Sequence, residues 1–296
     1  MKVHFAGCEQ MDSVSFLNRL ADIRYGLFTV FPFIAEKFGI KPMKLSTMIA
    51  EDVTNYLDAK YKHSIMDSGL FTLMFGAHAG PRDYNFCVKW QDAIVDFVKS
   101  TGYSGTVVEV DCQKILGVKT AWELRKKLKK QLPNNTQINV WHYEDGKQGL
   151  IEMAEFSDYI ALSIPEFRSL GWKNLPLKVI QLCKIIKDVK PDIKIHLLGC
   201  TQKNIMRVAK FCYSCDSTSW KEVNRWGAGV IFDGGRYKKV KRSLIEHNSK
   251  KLAPLIKKCF KKDKVITNVP DDHYANYVLT AIYQKREYEL NAGSQE

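Results

Sequence analysis

Residues 106–111 read Thr106-Val107-Val108-Glu109-Val110-Asp111, and residues 121–131 read AWELRKKLKKQ. The first stretch is a short β-branched run ended by an acid. The second spaces apolar residues three and four apart with lysines between them, which on a helix gives one buried stripe and one solvated face. A strand followed by such a helix is a βα unit, the building block of a parallel sheet covered by helices. The same alternation recurs on both sides. Short apolar runs occupy 3–7, 64–67, 137–142, 159–163, 194–198, 211–214 and 229–232, and residues 177–189 (LKVIQLCKIIKDV) repeat the helical pattern. Counting 106–111 there are eight runs, which predicts an α/β fold of the closed (β/α)8 TIM-barrel type; the pattern alone leaves an open doubly wound sheet as the alternative. Residues 12–20 predict a further helix with Asp12 or Ser13 as its N-cap.

Length and composition agree with a single barrel domain over 1–296. Hydrophobic residues make up 45% and charged residues 26% of the chain, as in a globular protein. No apolar run is long enough to cross a bilayer, and the opening MKVHFAGCEQ has no signal-peptide core, so the expected location is the cytoplasm, a host's if the chain is phage-encoded, with no membrane partner. The eight cysteines lack the spacing of a disulfide framework and are expected as free thiols. Residues 291–296 are expected to be disordered.

The net charge of +13 is unevenly placed. Between 236 and 264 lie twelve Lys and Arg against Glu246 and Asp263, a net of +10 in a segment expected to be helical. Arg236, Lys238, Lys239, Lys241, Arg242, Lys257, Lys258, Lys261 and Lys262 are therefore candidate phosphate contacts, because polyanion affinity comes largely from Lys and Arg displacing condensed counterions. The competing reading is a solvated helical face.

In a (β/α)8 barrel the catalytic groups sit at the C-terminal ends of the strands. Here those ends read Asp67-Ser68-Gly69, Asp111-Cys112-Gln113, His142-Tyr143-Glu144, Ser163-Ile164-Pro165-Glu166, Leu198-Gly199-Cys200-Thr201-Gln202 and Cys215-Asp216-Ser217-Thr218-Ser219-Trp220. Any one of these acids can serve as a helix cap or turn former. Three aspartates pointing into one mouth would repel one another and move apart in pKa, which suits a nucleophile and a general acid/base.

These ends resemble a known family. Asp67-Ser68-Gly69 with Phe71 is similar to the DSGGFQ-type motif of the tRNA-guanine transglycosylases, Val108-Glu109-Val110-Asp111 to their second aspartate strand, and His196-Leu197-Leu198-Gly199 to their HYLMG-type strand. Asp216-Ser217-Thr218-Ser219-Trp220 looks like the nucleophile segment of the DNA-acting branch, the DpdA-like 7-deazaguanine DNA transglycosylases of phages and bacteria. The resemblance runs from about residue 3 to about residue 239. It implies exchange of guanine in DNA for a 7-deazaguanine base of the preQ0 type, with double-stranded DNA as partner and no cofactor. Asp216 would be the nucleophile, Asp67 the general acid/base, and Asp111 the acceptor of the purine's Watson–Crick edge. Ser68, Gly69, His142, Glu166 and Gly199 would line the base site.

The sequence departs from that family in three places. His142 stands where the tRNA enzymes have a glutamine, Leu162-Ser163-Ile164-Pro165-Glu166 replaces a glycine-rich loop, and the C-terminal zinc site has no counterpart. Cys212-x-x-Cys215 is a lone pair, expected as packed thiols rather than metal ligands, with Cys259 and His273 far away in sequence. Trp141, Trp172, Trp220 and Trp226 are either packing residues or stacking partners for a flipped base. Three other functions share these residues: a tRNA-guanine transglycosylase, an N-glycosylase or nucleoside hydrolase in which water resolves the intermediate, and a non-catalytic nucleic-acid-binding barrel whose acids are only caps.

Overall fold

A computed structural model describes residues 1–40, 60–70, 83–200, 202–224, 230–233, 236–239, 241–265 and 271–293. Eight parallel strands form a closed ring in chain order: β1 (Lys2–Ala6), β2 (Tyr25–Thr29), β3 (His63–Asp67), β4 (Thr106–Val108), β5 (Gln137–Trp141), β6 (Tyr159–Ser163), β7 (Lys194–Leu198) and β8 (Ser214–Ser217). The ring closes by pairing β1 with β8, His4 lying opposite Asp216. The fold is therefore a TIM barrel.

Side chains alternate across the barrel wall, as the two-residue period of a strand requires. Val3, Phe5, Phe28, Met66, Val107, Trp141, Ile160, Leu162, Ile195, Leu197 and Cys215 pack outward in the main core. Ala6, Leu27, Ile65, Val108, Ile138, Val140, Tyr159 and Ala161 form a separate cluster inside the ring. The barrel is thus filled by side chains, and chemistry is left to its rim.

Helices surround the ring: α1 (Met11–Leu20), the single turn α2 (Phe31–Ile34), α3 (Tyr84–Thr101), α4 (Gln113–Gln131), α5 (Gly146–Phe156), α6 (Ile164–Ser169), α7 (Leu175–Val189) and α8 (Lys203–Val208). Asp83 caps α3 by accepting the Phe86 N–H at 2.8 Å, and Gly102, left-handed at φ 67°, ends it. A two-stranded antiparallel ribbon, β9 (Val230–Asp233) with β10 (Arg236–Lys239), precedes two long helices, α9 (Arg242–Lys262) and α10 (Asp271–Ala292). Helix α10 packs against β9, α1 and the 3-10 turn Ser219–Asn224. Asp263 fastens the end of α9 to α1, accepting from Ser15 Oγ at 2.6 Å and from Arg19 Nε at 2.9 Å.

Several expectations are corrected. The run at 229–232 belongs to the ribbon, and the eighth barrel strand is instead Tyr25–Thr29, which the apolar pattern passed over. Gly26 breaks that run; its site needs glycine because a Cβ there would meet the Tyr61 ring at 2.8 Å. The strand read at 211–214 lies at Ser214–Ser217, so Asp216 sits within β8 rather than beyond it. The strand read at 106–111 ends at Val108. The N-cap of α1 is Gln10, neither Asp12 nor Ser13. At the far end Asn291 is not disordered: it is buried in α10 and accepts from Arg207 Nε at 2.7 Å.

Candidate active site

Asp67 ends β3, Asp111 lies three residues beyond β4, and Asp216 stands on β8. Asp216 and Asp111 are both near enough to Asp67 to raise its pKa. Burial is the largest cause of that rise, Glu9 adds to it, and the Gly69 N–H, donated to Asp67 Oδ1 at 2.8 Å, opposes it. The outcome is a carboxyl pushed up to about 6, where it can hold a proton and release it near neutral pH. Gly69 makes this turn at φ +72°, and a Cβ there would lie 2.7 Å from Phe31 Cβ. Ser68 is buried, and its carbonyl accepts the Trp90 indole N–H at 2.8 Å.

Asp216 has different surroundings. Its Oδ1 accepts the Gly199 backbone N–H at 2.9 Å and lies 3.2 Å from His196 Nε2. Two neighbouring acids in such unlike environments are the usual basis for dividing the roles of nucleophile and general acid/base.

His142 joins the third acid to a fourth. It donates from Nε2 to Asp111 Oδ1 at 2.6 Å and from Nδ1 to Glu166 Oε2 at 3.0 Å. Burial works against a charged ring, but the hydrogen bonds to Asp111 and Glu166 outweigh it and raise the imidazole to about 10. His142 is therefore an imidazolium at neutral pH, only 4% exposed, with both nitrogens engaged. Lys114 pairs with Glu166 at 2.7 Å, and Ser163 caps α6, its Oγ accepting from the Glu166 N–H. Asp111 retains 34% side-chain exposure, so one edge of its carboxylate is open at the rim.

Glu109, two residues before Asp111, points the other way. It is buried in a bidentate pair with Arg125 of α4 and also accepts from Asn139 Nδ2 at 2.7 Å and the Val140 N–H at 2.9 Å. That arrangement braces β4 against β5 and α4.

Among the tryptophans, Trp141 and Trp220 are each 1% exposed, their indoles donating to Gly146 O and Ala6 O, so they are packing residues. Trp172 stacks on Phe167 at 4.4 Å and carries Lys178 over its ring. Trp226, Phe71 and Thr201 lie outside the described residues. Cys212 and Cys215 are buried free thiols, Cys212 Sγ lying 3.6 Å from Cys183 Sγ. Among the described residues no group of three or more His, Cys, Asp and Glu is placed to hold a metal ion, and no helix is long and apolar enough to cross a membrane.

The basic segment is a ribbon strand and a helix rather than one helix. Lys238 and Lys241 are exposed, as are Lys257, Lys258, Lys261 and Lys262 on α9; of Arg236, Lys239 and Arg242 only the backbone is described. The reading of the strand ends did not give His196, Arg125 or Lys114 a role. The alternation of β7, with His196 two residues before Leu198, was the available signal for the first.

No family model matches the chain, and no curated protein matches it. Among solved structures it is similar to QR15, an aldolase, at 10% identity and a TM-score of 0.45, over 74% of this chain and 90% of that one. It is also similar to a variant carboxyl transferase domain of Rhizobium etli pyruvate carboxylase with pyruvate, at 11% identity and a TM-score of 0.45, over 100% of this chain and 49% of that one. The chain thus spans about half of the second structure. At these scores neither similarity bears on the reaction.

Proposed function

We propose that the protein is a DNA-guanine transglycosylase, exchanging guanine for a 7-deazaguanine base through a covalent intermediate on Asp216. One observation supports the reading: two carboxylates near enough to interact lie at the C-terminal ends of barrel strands, Asp216 held by donors and Asp67 raised to about 6 by burial and its acidic neighbours. In the first half-reaction a carboxylate oxygen of Asp216 bonds to C1′ as the C1′–N9 bond breaks. The electron pair leaves with guanine, which takes a proton from Asp67. In the second, the incoming base gives its N9 proton to Asp67, and its nitrogen displaces Asp216 from C1′. A carboxylate nucleophile divides one hard displacement into two easier ones.

The open edge of Asp111 would accept from N1–H and the exocyclic amine of the base, while His142 fixes its orientation from behind. The choice of DNA over tRNA rests on the resemblance of Asp216-Ser217-Thr218-Ser219-Trp220 to the DNA-acting branch. The test is incubation with labelled 7-deazaguanine and either duplex DNA or unmodified tRNA. We expect incorporation into DNA and an ester on Asp216 detectable by mass spectrometry after rapid quench. Incorporation into tRNA alone would overturn the substrate, and guanine loss without incorporation would make the protein a glycosylase. Normal exchange by Asp216→Asn would remove Asp216 from the mechanism.

A further inference from the structure

Behind Asp216 a line of hydrogen bonds runs from the rim into the barrel. His196 Nε2 faces Asp216 Oδ1 at 3.2 Å, and His196 Nδ1 faces Ser214 Oγ at 2.5 Å. Ser214 Oγ in turn bonds the Tyr159 hydroxyl. His196, Ser214 and Tyr159 are each fully buried, and they come from three neighbouring strands, β7, β8 and β6.

The direction of these bonds follows from counting hydrogens. Among the described residues the Tyr159 hydroxyl has Ser214 as its one hydrogen-bond partner. If His196 donated to Ser214, and Ser214 to Tyr159, the phenol hydrogen would be buried with no acceptor, an arrangement folded proteins avoid. Run the other way, every hydrogen is used. Tyr159 donates to Ser214, Ser214 donates to Nδ1 of His196, and the ring, a neutral Nε2–H tautomer, donates to Asp216. The Gly199 N–H donates to the same oxygen at 2.9 Å. Oδ1 is thereby tied twice, and Oδ2 is left without a described partner.

We propose that His196 is the positioning residue of Asp216, held in its Nε2–H tautomer by Ser214 and Tyr159, and that it designates Oδ2 as the oxygen that bonds to the sugar. The inference rests on the reading of Asp216 as nucleophile. A carboxylate free to swing about its χ2 bond would present either oxygen at varying angles, whereas one anchored through Oδ1 presents a single oxygen in a fixed direction. Misplacement of a reacting group by about 1 Å can cost on the order of 10²-fold in rate.

The test uses the full chain with duplex DNA, comparing His196→Leu, His196→Gln and Asp216→Asn. His196→Leu should lower kcat for guanine exchange about 10²-fold with KM for DNA little changed, the signature of lost geometry rather than lost binding. His196→Gln, whose amide can still donate to Oδ1, should recover at least about tenfold of that loss. Independently of activity, 15N-histidine spectra of the wild type should show one buried ring protonated at Nε2 alone, and that signal should shift in Asp216→Asn. If His196→Leu exchanges normally while Asp216→Asn is dead, His196 does not position the nucleophile, although the reaction assignment survives. An Nδ1–H tautomer in the wild type, a folded His196→Gln no more active than His196→Leu, or normal exchange by Asp216→Asn would each overturn the inference, the last together with the proposed function.

Discussion

Arg125 Nε and Nη2 donate to Oε2 and Oε1 of Glu109 at 2.6 and 2.7 Å, with both side chains almost wholly removed from water. Glu109 lies in a run of sequence that looks catalytic, yet it faces the helix layer while Asp111 turns into the mouth. Removing one partner of a buried ion pair strands the other, a loss of about 3–5 kcal/mol. Glu109→Ala should therefore lower unfolding free energy by about that much in urea titration. A loss below about 1 kcal/mol would show that the pair braces nothing.

Asp67 predicts a conflict between stability and activity. Its carboxyl is pushed from 3.8 to about 6 in the folded state, so between those values the folded protein binds the proton more tightly than the unfolded chain. The corresponding stability is present at low pH and lost as pH rises through about 6. Asp67→Asn keeps an acceptor for Gly69 and removes the buried charge. It should be more stable than the wild type at pH 7, on the order of 1–3 kcal/mol, while exchange falls by orders of magnitude. Equal thermal midpoints at neutral pH would count against the raised carboxyl.

The alkaline side belongs to His142. Its folded-state pKa is raised to about 10 from 6.5 against the opposition of burial, so the stability it contributes is full below 6.5 and disappears as pH climbs through about 10. His142→Gln should flatten the fall in stability over that interval. A wild-type stability that does not change between pH 7 and 10 would mean the ring is neutral between Asp111 and Glu166.

The exposed lysines of α9 give a prediction in salt. Lys257, Lys258, Lys261 and Lys262, each changed to Glu, should weaken binding to every duplex sequence alike and reduce the slope of log affinity against log salt. An unchanged slope would leave this helix as a solvated cover for α1 and α10.

How much the sequence disclosed depended on whether a residue's surroundings were local. Residues 159–163 and 194–198 were read to the residue, because apolar runs with polar ends mark strands whose outer face is buried under helices. Ser214–Ser217 was displaced because its inward residues, Ser214 and Asp216, serve the polar line to His196, so the hydrophobic signal stops just where the strand begins. The run at 229–232 resembles a barrel strand in composition, and only its antiparallel partner at 236–239 reveals otherwise. The acids at the rim were legible one by one. The sequence could not show that Glu166 and Asp111 share one histidine, since that contact joins the ends of three strands.

The ring is sealed by its first strand against its last, His4 beside Asp216. These two strands are the pair most distant in sequence anywhere in the ring, so their pairing is its longest-range contact and needs the whole barrel chain to be present. Until they pair, β1 offers an unpaired edge. A half-synthesised chain thus holds Asp67 and Asp111 without Asp216, the residue proposed as nucleophile. On the proposed reading, such a chain could not open a glycosidic bond before the last strand was in place.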